Sequence, residues 1–242
     1  MSQSTNIAFN AVAADYTSDV GRIQFLIRSA LSGLRTAMPV KVLSVTNSGG
    51  LSSIGTVSVQ PMVSAIDGNN QPWMHGTIYN VPYLRIQGGS NGIILDPMVG
   101  DIGIATVCDR DISTVKNTKS ISAPGSNRKN DMSDMVYLMT IIGAAPTQYI
   151  QFNSSGITIL SPTKVTINAP NIEIDASSSC AINAPSIVLN GAISQGSGSN
   201  AGNAVFGGSI TATGNIIGGG ISLDTHHHTG VQTGSGNTGG PV

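Results

Sequence analysis

The chain has 242 residues and a mass of 24.7 kDa, with 40% apolar, 10% charged and 4% aromatic residues, 30 glycines and a formal net charge of −1. The charged share is under half of the usual quarter, and a mean hydropathy of +0.14 opposes disorder, which needs low hydrophobicity with high net charge. Balanced charge argues against nucleic-acid binding, and Cys108 and Cys180 are too few and too far apart for a disulfide framework or a four-ligand zinc site. The polar start, residues 1–6, has no basic-then-apolar signal pattern, and the longest apolar run, 136–145, falls short of the roughly 18 residues of a membrane helix. A soluble chain made without a signal peptide is expected, and the composition resists an enzyme reading.

The charges are unevenly spread. Residues 1–149 hold ten Lys/Arg and nine Asp/Glu, whereas 150–242 hold only Lys164, Glu173, Asp175 and Asp224, with 16 of the glycines. So few charges could hardly solubilise an isolated globule of that size. The second part is therefore expected to be polar through Ser, Thr and Asn and mostly hidden by copies of itself, and the charge break to divide two separately folding parts.

In chain order, residues 18–37 carry the clear helical pattern: Ile23, Leu26, Ile27, Ala30, Leu31 and Leu34 form one apolar face, Ser18 is the candidate N-cap and Pro39 the stop. That face fits core packing within one domain, or self-association and docking onto a neighbour. From Val40 the period changes to two. Strand-like runs at 40–45, 54–59, 76–79, 83–86, 92–95, 101–107 and 135–142 suit a five-stranded Greek-key barrel of about 110 residues. Residues 114–134, with four Lys/Arg and Pro124-Gly125-Ser126-Asn127, read as a long mobile loop.

Beyond it stands a repeat. Ile157-Thr158-Ile159, Val165-Thr166-Ile167, Ile172-Glu173-Ile174, Cys180-Ala181-Ile182 and Ile187-Val188-Leu189 start at steps of 8, 7, 8 and 7 residues, a 15-residue period visible in the recurring Ile-Asn-Ala-Pro at 167–170 and 182–185. Alternation turns the outer residues of each triplet to one face. A single-chain β-helix needs about 18 or more residues per coil to enclose a core, so each step is too short to go round alone. Three chains, each forming one side of a triangular prism, would close it. After 191 the pattern loosens into Gly-Ser-Asn turns and Gly218-Gly219-Gly220, as a narrowing prism requires.

Several motifs reduce to structure. Gly88-x-Ser90-x-Gly92 matches a nucleophile elbow but precedes strand and turn instead of helix, and Gly234-x-Gly236-x-x-Gly239 has no helix to receive a pyrophosphate. Asp109 and Asp111 around Arg110 read as a solvated loop, Cys180 as a buried inert thiol and His75 beside Trp73 as a satisfied barrel residue. The exception is His226-His227-His228. On a strand His226 and His228 share a face, which in one chain is a weak two-nitrogen site. In a threefold trimer six imidazoles would converge, enough for an octahedral transition-metal ion; zinc prefers four ligands, and imidazole also suits iron and nickel. Coordination needs neutral imidazole, so acid should release the ion.

A helix, a small barrel containing Pro97-Met98-Val99-Gly100-Asp101-Ile102-Gly103-Ile104, the Ile-Asn-Ala-Pro repeat and the tail Thr225-His226-x-His228-Thr229-Gly230 together resemble the central, membrane-piercing spike of a contractile-tail bacteriophage baseplate. The resemblance covers nearly the whole chain. It implies a mainly β homotrimer: an N-terminal segment with a helix (1–37), an OB-like barrel attached to the baseplate hub protein (38–147), an intertwined triple-stranded β-helix (148–224) and a metal-capped tip (225–242). It further implies one iron ion per trimer held by His226 and His228 of each chain, with His227 standing where Thr is common in the family. Such a protein is no enzyme, is made in the host cytoplasm, sits at the tail tip of the virion, pierces the host outer membrane on contraction, and binds neither nucleic acid nor a small-molecule substrate. About ten strand layers at roughly 4.7 Å would make a shaft of the order of 50 Å, against a bilayer core of about 30 Å. The competing reading is a host-binding tail fibre or adhesin, which should carry an aromatic binding surface, yet no Trp or Tyr follows Tyr149. A glycan hydrolase on a β-helix would need paired carboxylates, which 150–242 lacks outside Glu173, Asp175 and Asp224.

Overall fold

The computed structural model describes residues 15, 17–47, 49–66, 71–196, 202–230 and 234. The polar start at 1–6 and most of the glycine-rich end from 231, including Gly236 and Gly239, lie outside them. The chain is mainly β and divides into two compact units, 1–168 and 169–242.

The first unit opens with helix α1 (Asp19–Ser32), capped by Ser18, whose Oγ accepts from the Gly21 amide at 3.1 Å. The helix stops five residues short of the expected 37. Gly33 and Leu34 close it by donating to the Leu31 carbonyl, and strand β1 (Ala37–Val45) has already begun at Ala37. Pro39, read from sequence as the stop, lies inside β1 opposite Ile104. No α1 residue is buried; Ile23, Leu26, Ile27, Leu31 and Leu34 are all more than half exposed. Core packing within the chain is therefore not what this face does among the described residues.

β1 is the centre of a five-stranded sheet in the order β5-β2-β1-β8-β9, with β2 (Thr56–Pro61), β5 (Ile78–Pro82), β8 (Ile102–Val107) and β9 (Met135–Ile142), every ladder antiparallel. Register shifts in the β1–β2, β2–β5 and β8–β9 ladders bend it. Its two edges meet at one isolated parallel bridge, Tyr83 with Tyr137, where the Leu84 amide donates to the Tyr137 carbonyl at 2.8 Å. The pairing does not otherwise close. Two hairpins, β3 (Ala65–Ile66) with β4 (Pro72–Trp73) and β6 (Ile86–Gly88) with β7 (Asn91–Ile93), branch from it. Ser90 stands in the β6–β7 turn, between two strands, as the turn reading of Gly88-x-Ser90-x-Gly92 requires. His75 is half-buried, edge-on to an exposed Trp73.

The core follows from period two: Val40 and Val42, Val57 and Val59, Val81, Ala105, Met135 and Tyr137 face inward. Gly103 is fixed by packing, because an added Cβ would fall 2.3 Å from the Tyr137 hydroxyl and 2.4 Å from the Met139 carbonyl oxygen. Met135→Ala should cost the first unit about 2–5 kcal/mol, the range for emptying a buried methionine site, read from denaturant unfolding; an unchanged midpoint would contradict this core.

Residues 114–134 are more structured than a loop. They contain most of α2 (Ser113–Thr118) and a 3-10 turn, Met132–Asp134. Arg128 clamps them, donating from Nε and Nη2 to the two Asp134 oxygens at 3.1 Å each and pairing with Asp111 at 2.9 Å. Asp111, expected to be solvated, is buried and accepts from the Ser113 amide (2.8 Å) and Ser126 hydroxyl (2.7 Å). A second buried pair, Arg85–Asp96 at 2.5 Å, holds Tyr83 and the 46–55 turn: the Tyr83 hydroxyl donates to Asp96 and receives from Asn47 Nδ2, and Arg85 Nη1 donates to the Ser52 carbonyl.

These contacts set an acid response. Hydrogen bonds from Ser113 and Ser126, with Arg128 nearby, lower Asp111 from the ordinary 3.8 to about 2. Burial pushes Asp96 up, but Arg85 and Tyr83 outweigh it and hold the group below its ordinary value; Ser133 lowers Asp131. A depressed carboxylate stabilises the fold above its unfolded pKa, and that contribution fades as pH falls through the folded one. The first unit should therefore lose stability between about pH 4 and pH 2, and Asp111→Asn should flatten the decline. Thermal unfolding across that window tests both; a flat wild-type profile would contradict the assignment.

Hairpin β10 (Tyr149–Asn153) with β11 (Gly156–Leu160) follows, turning on Asn153, whose Oδ1 accepts from the Ser155 amide. Ile150 pairs with Ile159 and Phe152 with Ile157, yet all four side chains are exposed.

In the second unit and the segment leading to it, every residue from 162 to 196 is exposed, including the apolar pairs of all the remaining repeat triplets. Cys180, expected to be buried, is exposed in the single chain. Among the described residues, the triplets at 165–167, 172–174, 180–182 and 187–189 make no strand pairs. Among the described residues this stretch supplies apolar alternation without a partner strand or a core.

Candidate metal centre

The histidine cluster follows a short hairpin, β12 (Ile217–Gly218) with β13 (Ile221–Ser222). Gly219 (φ 59°) and Gly220 (φ 84°) form its two-residue turn, left-handed at both positions, a conformation that glycine adopts without steric cost. This is the local reason for the glycines at 219 and 220.

Ser222 organises what comes next. Its hydroxyl exchanges hydrogen bonds with the Asn215 side chain (2.9 and 3.1 Å) and accepts from the Thr225 amide (3.1 Å) and Thr225 hydroxyl (2.8 Å). Its carbonyl accepts from the His226 amide at 3.1 Å and from His226 Nδ1 at 2.9 Å. A carbonyl can only accept, so this contact places a proton on Nδ1 and leaves Nε2 of neutral His226 with a bare lone pair. Fixing one imidazole nitrogen by a backbone carbonyl is a common way of orienting the other toward a metal.

The rings of His226 and His228 meet edge-on, centroids 5.2 Å apart and planes at 82°. Residues 226–228 form no strand in the chain, so strand alternation is not what brings these two rings together. No described group of three or more His, Cys, Asp or Glu in one chain could hold a metal ion. One chain therefore offers two imidazoles, an incomplete set that needs donors from elsewhere. By donor chemistry the pair fits a borderline transition metal and not a hard cation, which prefers oxygen.

Sequence reasoning missed Asn215 and Ser222. Their only signal was their position on either side of a glycine turn; which polar side chains bond across it depends on the hairpin register.

Residues 220–242 match the family model described as the GpV Apex motif, which points to the apex of a bacteriophage tail spike. The match begins at the Gly220 turn and includes His226 and His228. No curated protein matches the chain. A phage tail structural protein, and hence a virion tail component, is the class these findings indicate.

Proposed function

We propose that three copies of this chain form the central spike of a contractile phage tail, a non-enzymatic device that pierces the host outer membrane. The observation that carries the reading is the run of exposed apolar repeats from 157 onward, coreless in one chain, that leads to the apex motif. Three chains winding together as a triple-stranded β-helix over 148–224 would give each apolar face a partner, and interchain strand pairing would leave few free edges to yield under load. The first unit then serves as the OB-like barrel (38–147) that docks on the hub protein. The strand order β5-β2-β1-β8-β9, with a parallel contact only where the edges meet, supports that reading.

At the tip (225–242), His226 and His228 of each chain would together hold one iron ion. When bound, the ion supplies a rigid link among three chain ends where the prism is too narrow for an apolar core. Ser222 keeps His226 in the tautomer that leaves Nε2 free.

Gold-labelled antibody against the protein on intact particles tests the placement. Label at the single distal end of the tail is expected. Label around the tail periphery would overturn the spike in favour of a host-binding fibre or adhesin.

A further inference from the structure

We infer that Asn215 is a positioning residue for the tip metal: its side chain ends the β12–β13 ladder and so sets the turn that fixes His226. This inference rests on the metal reading above.

The register shows where the ladder would otherwise run. Ile217 pairs with Ser222 and Gly218 with Ile221, and the Leu223 amide donates to the Ile216 carbonyl at 2.8 Å. One further step in the same antiparallel register sets Asn215 opposite Asp224. There a side chain replaces the backbone partner: the Asp224 amide donates to Asn215 Oδ1 at 3.2 Å. A backbone N–H can only donate, so this contact assigns the oxygen of the carboxamide and leaves Nδ2 to donate to Ser222 Oγ at 2.9 Å. Side chains of this kind compete with the ladder for backbone groups, which is how a hairpin can be stopped at a chosen residue.

The position of His226 depends on that stop. Residues 223–225 turn, and the Ser222 carbonyl accepts from both the His226 amide and His226 Nδ1. The backbone contact spans four residues, a single α-turn. A strand continued through Asp224 would instead advance about 13 Å over the same four residues, and the Ser222 carbonyl would be out of reach of the ring. Asn215 thus acts through Asp224 and Ser222. It holds the chain in the turn that keeps the His226 proton on Nδ1 and turns Nε2 over to coordination.

Two substitutions in the full-length protein test this. Asn215→Leu keeps the size of the side chain and removes both polar atoms, whereas Asn215→Asp keeps an oxygen for the Asp224 amide. In competition with a chromogenic chelator for ferrous iron, the leucine variant should bind about 10–100-fold more weakly than the wild type, and the aspartate variant should stay close to it. A second readout needs no metal. At about pH 8, where imidazole is neutral, nitrogen NMR of the metal-free wild type should place the His226 proton on Nδ1, and the leucine variant should show both tautomers. A leucine variant that competes like the wild type, an aspartate variant as weak as the leucine one, or a wild-type proton on Nε2 would overturn the role of Asn215 and leave the metal site standing. A wild type that binds no metal would overturn the site itself.

Discussion

Replacing His226 and His228 together by alanine should reduce bound metal from one ion per trimer to none while leaving the trimer intact. The two imidazoles meet edge-on at the described tip, and the Ser222 carbonyl leaves Nε2 of His226 free to coordinate. Removing one histidine would halve the donor set; removing both leaves His227 as the one imidazole of the run, outside the ring pair, beside hydroxyls and backbone, which do not hold a borderline transition metal. The upstream apolar repeats do not involve these side chains, so assembly should persist. His227→Thr should keep the metal, since His227 takes no part in the ring pair. Elemental analysis of tag-free protein decides the matter: metal retained in the double variant, or absent from the wild type, refutes the site.

The second large effect is expected in the repeat. Ile167→Asp with Ile182→Asp should abolish assembly, because the two positions are equivalent in successive 15-residue repeats and would each place three carboxylates against one another inside the prism. Each isoleucine contributes about 1.5–3 kcal/mol when buried, and unpaired charges in an apolar interior cost several kcal/mol each. The first unit should stay folded, since Val40, Val42, Val59, Val81 and Tyr137 are buried within one chain. A monomeric species that keeps the wild-type acid transition of the first unit is the expected product. A variant that assembles like the wild type would show that these side chains do not face a shared interior.

The contrast between those two regions explains how much was legible from the residues. Local periodicity located α1, β1, β2, β8 and β9 to within a few positions, because each carries its burial pattern in its own sequence. The repeat was equally readable and needed no contact information. What escaped was set by pairings between distant residues. Arg128 with Asp111 and Asp134 turns an apparent loop into a clamped segment, and Arg85 with Asp96 ties the 46–55 turn to the β6–β7 region. The β10 strand was missed because its turn, Asn153-Ser154-Ser155-Gly156, is recognisable only once its partner is known. At the tip, the histidine pair was visible, whereas the Ser222 carbonyl that sets the tautomer was not, since a backbone group leaves no signature in sequence.

Everything proposed for the shaft and the tip depends on three chains sharing one interior. Light scattering coupled to size separation measures this directly on the full-length protein. The account predicts a single species of three times 24.7 kDa, maintained on dilution. A stable species of 24.7 kDa would contradict it.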